Sequence, residues 1–296
     1  TSLTQKQTDA YYMIDGTDCP GKDMEIGRGD GSQRVTGFVS SNDVKAEKYK
    51  PLTKDVSLQY ANREPRFYAS VAYNGALWNL LNATLDIDKG PYYCWYYRGG
   101  EEGQSNSGNW LLTGIGVMKF VRPTDTNDDR NTGGATSHIT KKADPAIRYA
   151  EILLIYAEAL NELTKNYQIA SWDRTNTYSI GRDVNEMKKA IQPILEFLDY
   201  NIHTRAGVPD YEENIYANVD LFREKIKRER QIELMGEGHR YFDIRRWKDA
   251  PEEESLPFYG CNTLMTESEK EQFHMPIEIT SVRTCFAEKT YFWPIS

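Results

Sequence analysis

The chain has 296 residues and carries 36 Lys and Arg against 44 Asp and Glu, a formal net charge of -8 at pH 7. An acidic chain is a poor candidate for binding phosphate backbones or anionic lipid surfaces, because both attract clustered positive charge. Its longest apolar stretch, residues 152–157, is far shorter than the roughly 18–20 residues of a membrane helix, so the sequence excludes a bilayer-spanning segment.

Residues 1–143 are rich in Gly, Asp, Asn and Ser and show little helical periodicity, which predicts a loop-rich region. Alternating side chains followed by Asn74-Gly75 predict a β-hairpin near residues 66–80, closed by a type I′ turn. An apolar run at residues 114–121 follows a glycine-rich loop and predicts a further strand.

From residue 144 the sequence predicts helices with readable ends. Asp144 and Pro145 favour a helix start at that point, and Asp183 with Glu186 resembles the capping box of a second helix. Pro193 is expected to kink or split that second helix. Apolar spacings of three and four predict one packed face on the first helix, formed by Ile152, Ile155, Tyr156, Ala159, Leu160 and Leu163.

A third helix is predicted over residues 219–235 and a short fourth one over residues 239–247. Arg230 interrupts an apolar ridge of the third helix, and a guanidinium at such a position needs acidic partners. We therefore expect a structural ion-pair network rather than a catalytic site. Its predicted members are Arg230, Glu233, Glu237 and Arg240.

These last two helices also carry the most specific motif of the chain. REKIKRERQIEL at residues 223–234, followed by EGHRYFDIRRW at residues 237–247, resembles the signature of the SusD/RagB-like outer-membrane nutrient-binding lipoproteins of Bacteroidetes. Other segments resemble the same family in the same order, with Glu64 where the family usually has Asp. They are QKQTDAYYMIDG at residues 5–16, REPRFY at residues 63–68, YNG at residues 73–75, RYAEILL at residues 148–154, YAEALNE at residues 156–162, RAGVP at residues 205–209 and FWPI at residues 292–295.

The resemblance implies a fold and a domain organisation. The fold class is mainly α, the C-terminal part of a SusD-like α/α superhelix of tetratricopeptide-like helical hairpins, with long irregular loops. Residues 1–143 are then a loop-rich segment with a small β-hairpin and the candidate ligand-binding surface, and residues 144–296 are the helical C-terminal region. Because the family's N-terminal half is not in this chain, we expect both regions to form one structural unit of a larger protein.

The resemblance also implies a function and a location. Proteins of this family bind an oligosaccharide or another nutrient at the cell surface, without catalysis, and deliver it to a SusC-like TonB-dependent transporter. We therefore expect such a nutrient and such a transporter as partners, together with the missing N-terminal half of the protein. The implied location is the outer membrane, through an N-terminal lipid that is not in this chain.

Aromatic rings beside polar side chains suit a solvent-exposed sugar site. A pyranose presents a C–H face to a ring while its hydroxyls need amide, guanidinium or carboxylate partners. Two loop segments, residues 92–110 and residues 172–178, have this composition. We expect ligand contacts from Tyr92, Trp95, Tyr96, Arg98, Asn109, Trp110, Trp172 and Tyr178. The alternative, in which these rings fix long loops onto the helical body, stays open.

Two other classes of function also stay open. A glycoside hydrolase needs two carboxylates about 5–9.5 Å apart, one with a raised pKa, and a sequence does not report that geometry. No H-E-x-x-H, G-x-S-x-G or G-x-x-x-x-G-K motif is present, so we do not expect an enzyme. A helical scaffold would explain the helices but would leave the long aromatic loops unused.

The sequence predicts no cofactor. Residues 125–129 resemble the start of a calcium loop, but Arg130 stands where such loops use Gly and Thr136 where they use Glu, so calcium remains only an alternative. The cysteines show no metal-ligand spacing, and both disulfides and free thiols stay open for them. They are Cys19, Cys94, Cys261 and Cys285.

Overall fold

The computed structural model describes residues 1–23, 33–78, 92–100, 102–104, 110–121, 145–195, 206–280, 286–288 and 291, and the backbone of residues 126–128 and 136–138. The described residues are mainly helical, with short antiparallel strands, which confirms the prediction of a mainly α fold. The helices are α1 (Gln5–Ala10), α2 (Ser41–Lys45), α3 (Pro65–Ser70), α4 (Tyr149–Asn161), α5 (Val184–Leu195), α6 (Glu213–Ala217), α7 (Val219–Glu233), α8 (His239–Arg246), α9 (Ala250–Glu253) and α10 (Lys270–Phe273).

The strands are short and pair in twos. Each pair is antiparallel: β1 with β4, β2 with β3, β5 with β6, β7 with β8, and β9 with β10. Their bounds are β1 (Val71–Ala72), β2 (Ala76–Leu77), β3 (Tyr93–Cys94), β4 (Gly116–Val117), β5 (Thr126–Asp128), β6 (Thr136–His138), β7 (Tyr167–Ala170), β8 (Thr177–Ile180), β9 (Tyr259–Gly260) and β10 (Ile277–Glu278). No helix of the described residues has the length and apolar content needed to cross a membrane.

The chain divides into two compact units. The first unit comprises Thr1–Met13, Thr17–Asp144 and Pro251–Ser296, and the second comprises Ile14–Gly16 and Pro145–Ala250. The C-terminal residues therefore group with the loop-rich segment, whereas the sequence interpretation placed them with the helices. Backbone hydrogen bonding contributes to this grouping, because the Cys261 N–H donates to the Thr113 carbonyl at 2.8 Å.

Aromatic rings form the core of the first unit. Phe67 is fully buried, and four tyrosine rings surround it with centroids 5.3–6.0 Å away. The guanidinium of Arg63 lies 4.5 Å from the Phe67 ring centroid and donates to the carbonyls of Thr8 and Tyr11. We call these rings the Phe67 cluster: Tyr11, Tyr60, Phe67, Tyr68 and Tyr73.

The predicted hairpin near residues 66–80 is wrong. Pro65 occupies the first turn of α3, where its fixed φ and missing N–H favour a helix, so a helix stands where alternation predicted a strand. β1 then pairs with β4 and β2 with β3, so the two predicted hairpin strands do not pair with each other. The strand expected at residues 114–121 is confirmed only over β4.

In the second unit α4 packs against both α5 and α7. The helix starts at Tyr149, later than predicted, because the extended Arg148 before it donates hydrogen bonds to the Glu233 and Glu237 carboxylates. Its packed face was also predicted wrongly. Apolar side chains occupy most of the circumference of α4, so the three- and four-residue spacing is compatible with more than one packed face. The face that is buried is formed by Ala150, Leu153, Leu154, Ala157 and Leu160. Ile152, Ile155 and Tyr156 are exposed.

The predicted ends of the other helices agree better with the structure. The Asp183 carboxylate accepts hydrogen bonds from two N–H groups in the first turn of α5, at 2.8 and 3.2 Å, as an N-cap does. α5 continues through Pro193 to Leu195 and is not split there. α7 and α8 confirm the predicted third and fourth helices, with Gly238 in the left-handed region before α8.

The ion-pair network is present, but with other pairings than expected. The Arg230 guanidinium binds the carboxylate of Asp243 on α8 through two hydrogen bonds of 2.8 and 2.9 Å, and both side chains are buried. Glu233 and Glu237 bind Arg148, and the Arg240 guanidinium lies 5.9 Å from the Trp247 ring centroid. The sequence spacing suggested the nearest glutamates as partners of Arg230, whereas the packing of the helices gives Arg230 a partner on α8.

His274 makes the stability of the first unit sensitive to acid. Burial, with the charge of Lys270 adding to it, lowers the pKa of His274 from 6.5 to about 3. The unfolded chain therefore takes up this proton as the pH falls through 6.5, while the folded chain stays neutral. We expect about 2 kcal/mol of the free energy of unfolding to be lost between pH 7 and pH 5 through this group.

Urea unfolding at both pH values measures this loss, with His274→Gln as the control that removes the titrating ring. Equal pH dependence in the wild type and in this variant would contradict the prediction.

Candidate functional site

A cavity of about 540 Å³ opens beside the tyrosine- and tryptophan-rich segment of the first unit. We call it the Trp95 cavity. Its volume lies within the range of small-molecule binding sites. The described residues that line it are Tyr92, Tyr93, Trp95, Tyr97, Arg98, Gly99, Gly100, Glu102, Thr266, Glu267 and Ser268.

The residues between β1 and β2 hold the backbone that carries the rings. The Asn74 side-chain oxygen accepts a hydrogen bond from the Tyr96 N–H at 2.7 Å, and the Gly75 N–H donates to the Cys94 carbonyl at 2.6 Å. Gly75 has a φ of +87°, and a Cβ on it would lie 2.6 Å from the Val56 side chain and 2.9 Å from the Trp95 ring. The absence of a side chain at position 75 therefore leaves the space that the Val56 and Trp95 side chains occupy.

The rim of the cavity is a tight turn after Tyr97. The Gly100 N–H donates to the Tyr97 carbonyl at 3.0 Å. A Cβ on Gly103 would lie 1.7 Å from the same carbonyl oxygen, so no other residue fits there without moving the turn. The Arg98 N–H donates to the Met265 carbonyl at 2.9 Å, which joins this turn to the segment that carries Thr266.

Two aromatic rings form a stacked pair in the cavity wall. The Trp95 and Tyr97 rings lie 5.9 Å apart between centroids and are inclined by 10°. Tyr97 also meets the Phe273 ring edge to face at 4.7 Å and is almost completely buried, whereas Trp95 is half-buried. The buried Tyr97 ring therefore supports the Trp95 ring from the interior side, and Trp95 is the ring that a ligand can reach.

Polar groups surround this ring pair. Arg98 supplies a guanidinium at the exposed rim, Glu102 and Glu267 supply carboxylates, and Thr266 and Ser268 supply hydroxyls. Burial raises the pKa of the Glu102 carboxyl, and the nearby backbone N–H of Trp95 opposes this rise. The wall thus combines an aromatic surface with donors and acceptors within one small volume.

The structure brings together three of the predicted ligand contacts, Tyr92, Trp95 and Arg98, on this one cavity. Tyr96, at 5% exposure, is buried and is not among the residues that line the cavity. Trp110 is half-buried outside the described lining of the cavity, and Asn109 lies outside the described residues.

Sequence reasoning missed the second wall of the cavity. Residues 266–268 are remote in sequence from the aromatic segment, and nothing in their composition suggests a ligand site. The one available signal was the Thr266-x-x-Glu269 pattern, which forms a capping box in the structure. The pattern predicts that a helical turn starts at this point, but it does not indicate that the turn lines a cavity.

The other predicted contacts lie on the β7–β8 hairpin of the second unit. Trp172 at its tip is 96% exposed and Tyr178 is 54% exposed. The Asp173 carboxylate fixes the turn by accepting hydrogen bonds from the Ser171 hydroxyl and the Thr175 N–H. Cross-strand pairing places the apolar side chains on one face of the hairpin: Tyr167, Ile169, Tyr178 and Ile180.

The remaining chemistry-bearing residues have simpler surroundings. In the part of the chain that the structure describes, no three His, Cys, Asp or Glu side chains form a group that could hold a metal ion. Cys19, Cys94 and Cys261 are buried, and burial raises the pKa of the Cys94 and Cys261 thiols to about 12. Cys285 and most of the predicted calcium-like segment lie outside the described residues.

Comparison with known protein families identifies the class of protein that carries this fold and cavity. The model of the SusD family matches residues 1–296, and the chain belongs to that family. This finding confirms the resemblance read from the motifs around residues 223–247. No curated protein sequence matches the chain.

Solved structures share the fold. The chain is similar to a SusD-like protein from Bacteroides fragilis, with 23% identity, a TM-score of 0.56 and coverage of 98% of this chain and 43% of that one. A SusD-like carbohydrate binding protein from the same organism shows 21% identity, a TM-score of 0.53 and coverage of 99% and 45%. The protein BT4246 shows 22% identity, a TM-score of 0.65 and coverage of 98% and 41%. The chain thus spans less than half the length of these proteins.

Proposed function

We propose that this protein binds an oligosaccharide in the Trp95 cavity and does not cleave it. The observation that carries the proposal is the stacked pair of Trp95 on Tyr97 with a guanidinium, carboxylates and hydroxyls beside it. A sugar ring can lie on the indole through its C–H face while its hydroxyls meet the polar wall. The carbohydrate-binding description of one structural relative supports the same ligand class.

Replacement of Trp95 tests this proposal. We expect Trp95→Ala to lower glycan affinity at least roughly tenfold, because the stacking surface is lost, while Trp95→Phe keeps part of the affinity. A glycan array followed by calorimetric titration measures the change in the full-length protein. Phe242→Ala, which removes an exposed ring of the second unit, is the matched control and is expected to leave the affinity unchanged. Unchanged affinity in Trp95→Ala would contradict the proposal.

Hydrolysis is the second candidate function, because Glu102 and Glu267 line the same cavity and burial raises the pKa of Glu102. A raised pKa is what the acid of a glycosidase requires. Incubation of the protein with the glycan that binds best separates the two functions. Recovery of intact glycan supports binding alone, whereas turnover that Glu102→Gln abolishes supports the enzyme.

We further propose the cellular role that the family membership suggests: delivery of the bound glycan to a SusC-like TonB-dependent transporter at the outer-membrane surface. A lipid anchor and a further N-terminal part of the protein belong to this proposal. An apolar surface of α4 supports such a part, because Tyr149, Ile152, Ile155 and Tyr156 are 40–70% exposed on it. Co-purification with a transporter from native membranes tests the role.

A further inference from the structure

The charges at the Trp95 cavity restrict the kind of sugar that it can hold. Among the described lining residues, Arg98 is the one cation, and Glu102 and Glu267 are both carboxylates. We infer that the cavity selects uncharged glycans and discriminates against glycans that carry uronic-acid or sulfate groups. This inference rests on the proposed function and names the ligand class of the same site.

Glu102 lies where an anionic ligand would meet it. Its side chain lines the same cavity as Trp95, the residue whose ring would hold the sugar. The side chain is half-buried, so water and salt screen its negative charge less than they screen a fully exposed one. A second negative charge at this point would add repulsion in a poorly hydrated place.

Arg98 does not offset this negative field. The side chains of Arg98 and Glu267 are both exposed at the rim, where water and salt screen their opposite charges, so the half-buried Glu102 carboxylate is the least screened charge of the lining. Arg98 also lies in the field of Glu269, whose pKa is lowered by hydrogen bonds from Thr266 and by the charge of Arg98. The neighbouring cation Lys270 forms an ion pair with Asp55 at 2.7 Å, away from the cavity lining.

The size of the effect follows from Coulomb repulsion at the protein surface. An anion held about 5 Å from a carboxylate, at an effective dielectric constant between those of a protein surface and water, binds roughly tenfold more weakly than an uncharged group. Neutral hydroxyls avoid this repulsion and can donate to the Glu102 and Glu267 carboxylates. An amino sugar, which carries a positive charge, is tolerated for the same reason.

Matched pairs of oligosaccharides test the inference in the full-length protein. The probes are β-1,4-linked gluco- and manno-oligosaccharides, each paired with the uronic-acid oligosaccharide of the same linkage and length. We expect the neutral member to bind about tenfold more tightly, and we expect Glu102→Gln to narrow that gap severalfold. If Glu102→Gln does not fold, the ratio of the two affinities is measured in Glu267→Gln, whose position is exposed.

The outcomes are distinguishable. Equal or tighter binding of the uronic-acid members by the wild type overturns the inference and leaves the proposed function in place. A gap that persists unchanged in both glutamine variants also overturns it. Absence of binding by every member, or binding that Trp95→Ala leaves unchanged, overturns the proposed function and the inference together.

Discussion

Replacing Asp243 with alanine is expected to lower the free energy of unfolding by about 3–5 kcal/mol. The substitution leaves the buried guanidinium of Arg230 without the carboxylate that accepts hydrogen bonds of 2.8 and 2.9 Å from it. It also removes the Asp243 contact with Arg246, at 2.9 Å. Because domains are stable by only about 5–15 kcal/mol, this loss is a large share of the total. Urea unfolding followed by circular dichroism measures it.

Glu224→Ala is the matched control on α7. Glu224 is 71% exposed and pairs with Lys227 at 3.3 Å, so its removal is expected to change stability by less than about 0.5 kcal/mol. The double replacement Arg230→Met with Asp243→Leu is expected to recover much of the loss, because no buried charge is then left unpaired. A loss for Asp243→Ala no larger than that of Glu224→Ala would contradict the buried-pair account.

Replacing Phe67 with alanine is expected to cost about 3–5 kcal/mol in the first unit. Four tyrosine rings and the Arg63 guanidinium surround the Phe67 ring, so truncation opens a cavity that these rigid groups cannot fill. Phe67→Leu retains more apolar volume and is expected to cost less than half as much. Thermal and urea unfolding of the two variants measure the difference.

Phe242→Ala is the control for the loss of a phenyl ring as such. Phe242 is 68% exposed, so its removal is expected to cost less than about 1 kcal/mol. If Phe67→Ala proved as mild as this control, α3 and the Phe67 cluster would not be the core of the first unit.

Helix ends were predictable where one local interaction determines them. Asp183 accepts hydrogen bonds from the first turn of α5, and Gly238 allows the left-handed residue before α8, so both boundaries follow from the residue itself. The family motif at residues 223–247 lies on α7 and α8, and its residues were assigned to helices correctly. These features depend on neighbours within a few positions.

Features set by distant partners were not predictable in the same way. Alternation over residues 66–73 was read as a strand, but Pro65 starts a helix there and the Phe67 cluster buries it. The packed face of α4 depends on where α5 and α7 lie, and Arg230 takes its partner from α8. Spacing within one segment contains no information about either choice.

The candidate site shows the same division. A contiguous aromatic run allowed Tyr92, Trp95 and Arg98 to be singled out, and all three line the cavity. The same run could not show that Tyr96 is buried while Trp95 lines the cavity, because this depends on distant partners such as Asn74, whose side-chain oxygen accepts a hydrogen bond from the Tyr96 N–H. Glu102 and residues 266–268 complete the cavity through the fold, and no local pattern points to them.

The fully exposed position of Trp172 has an optical consequence. An indole surrounded by water emits at longer wavelengths than a buried one and is open to collisional quenchers such as iodide. Among the six tryptophans of the chain, the fluorophore at the hairpin tip therefore adds a quenchable, red-shifted background to the intrinsic emission. Trp172→Phe removes that background and leaves five tryptophans, and the difference in their emission between this variant and Trp172→Phe combined with Trp95→Phe isolates the signal of the half-buried Trp95.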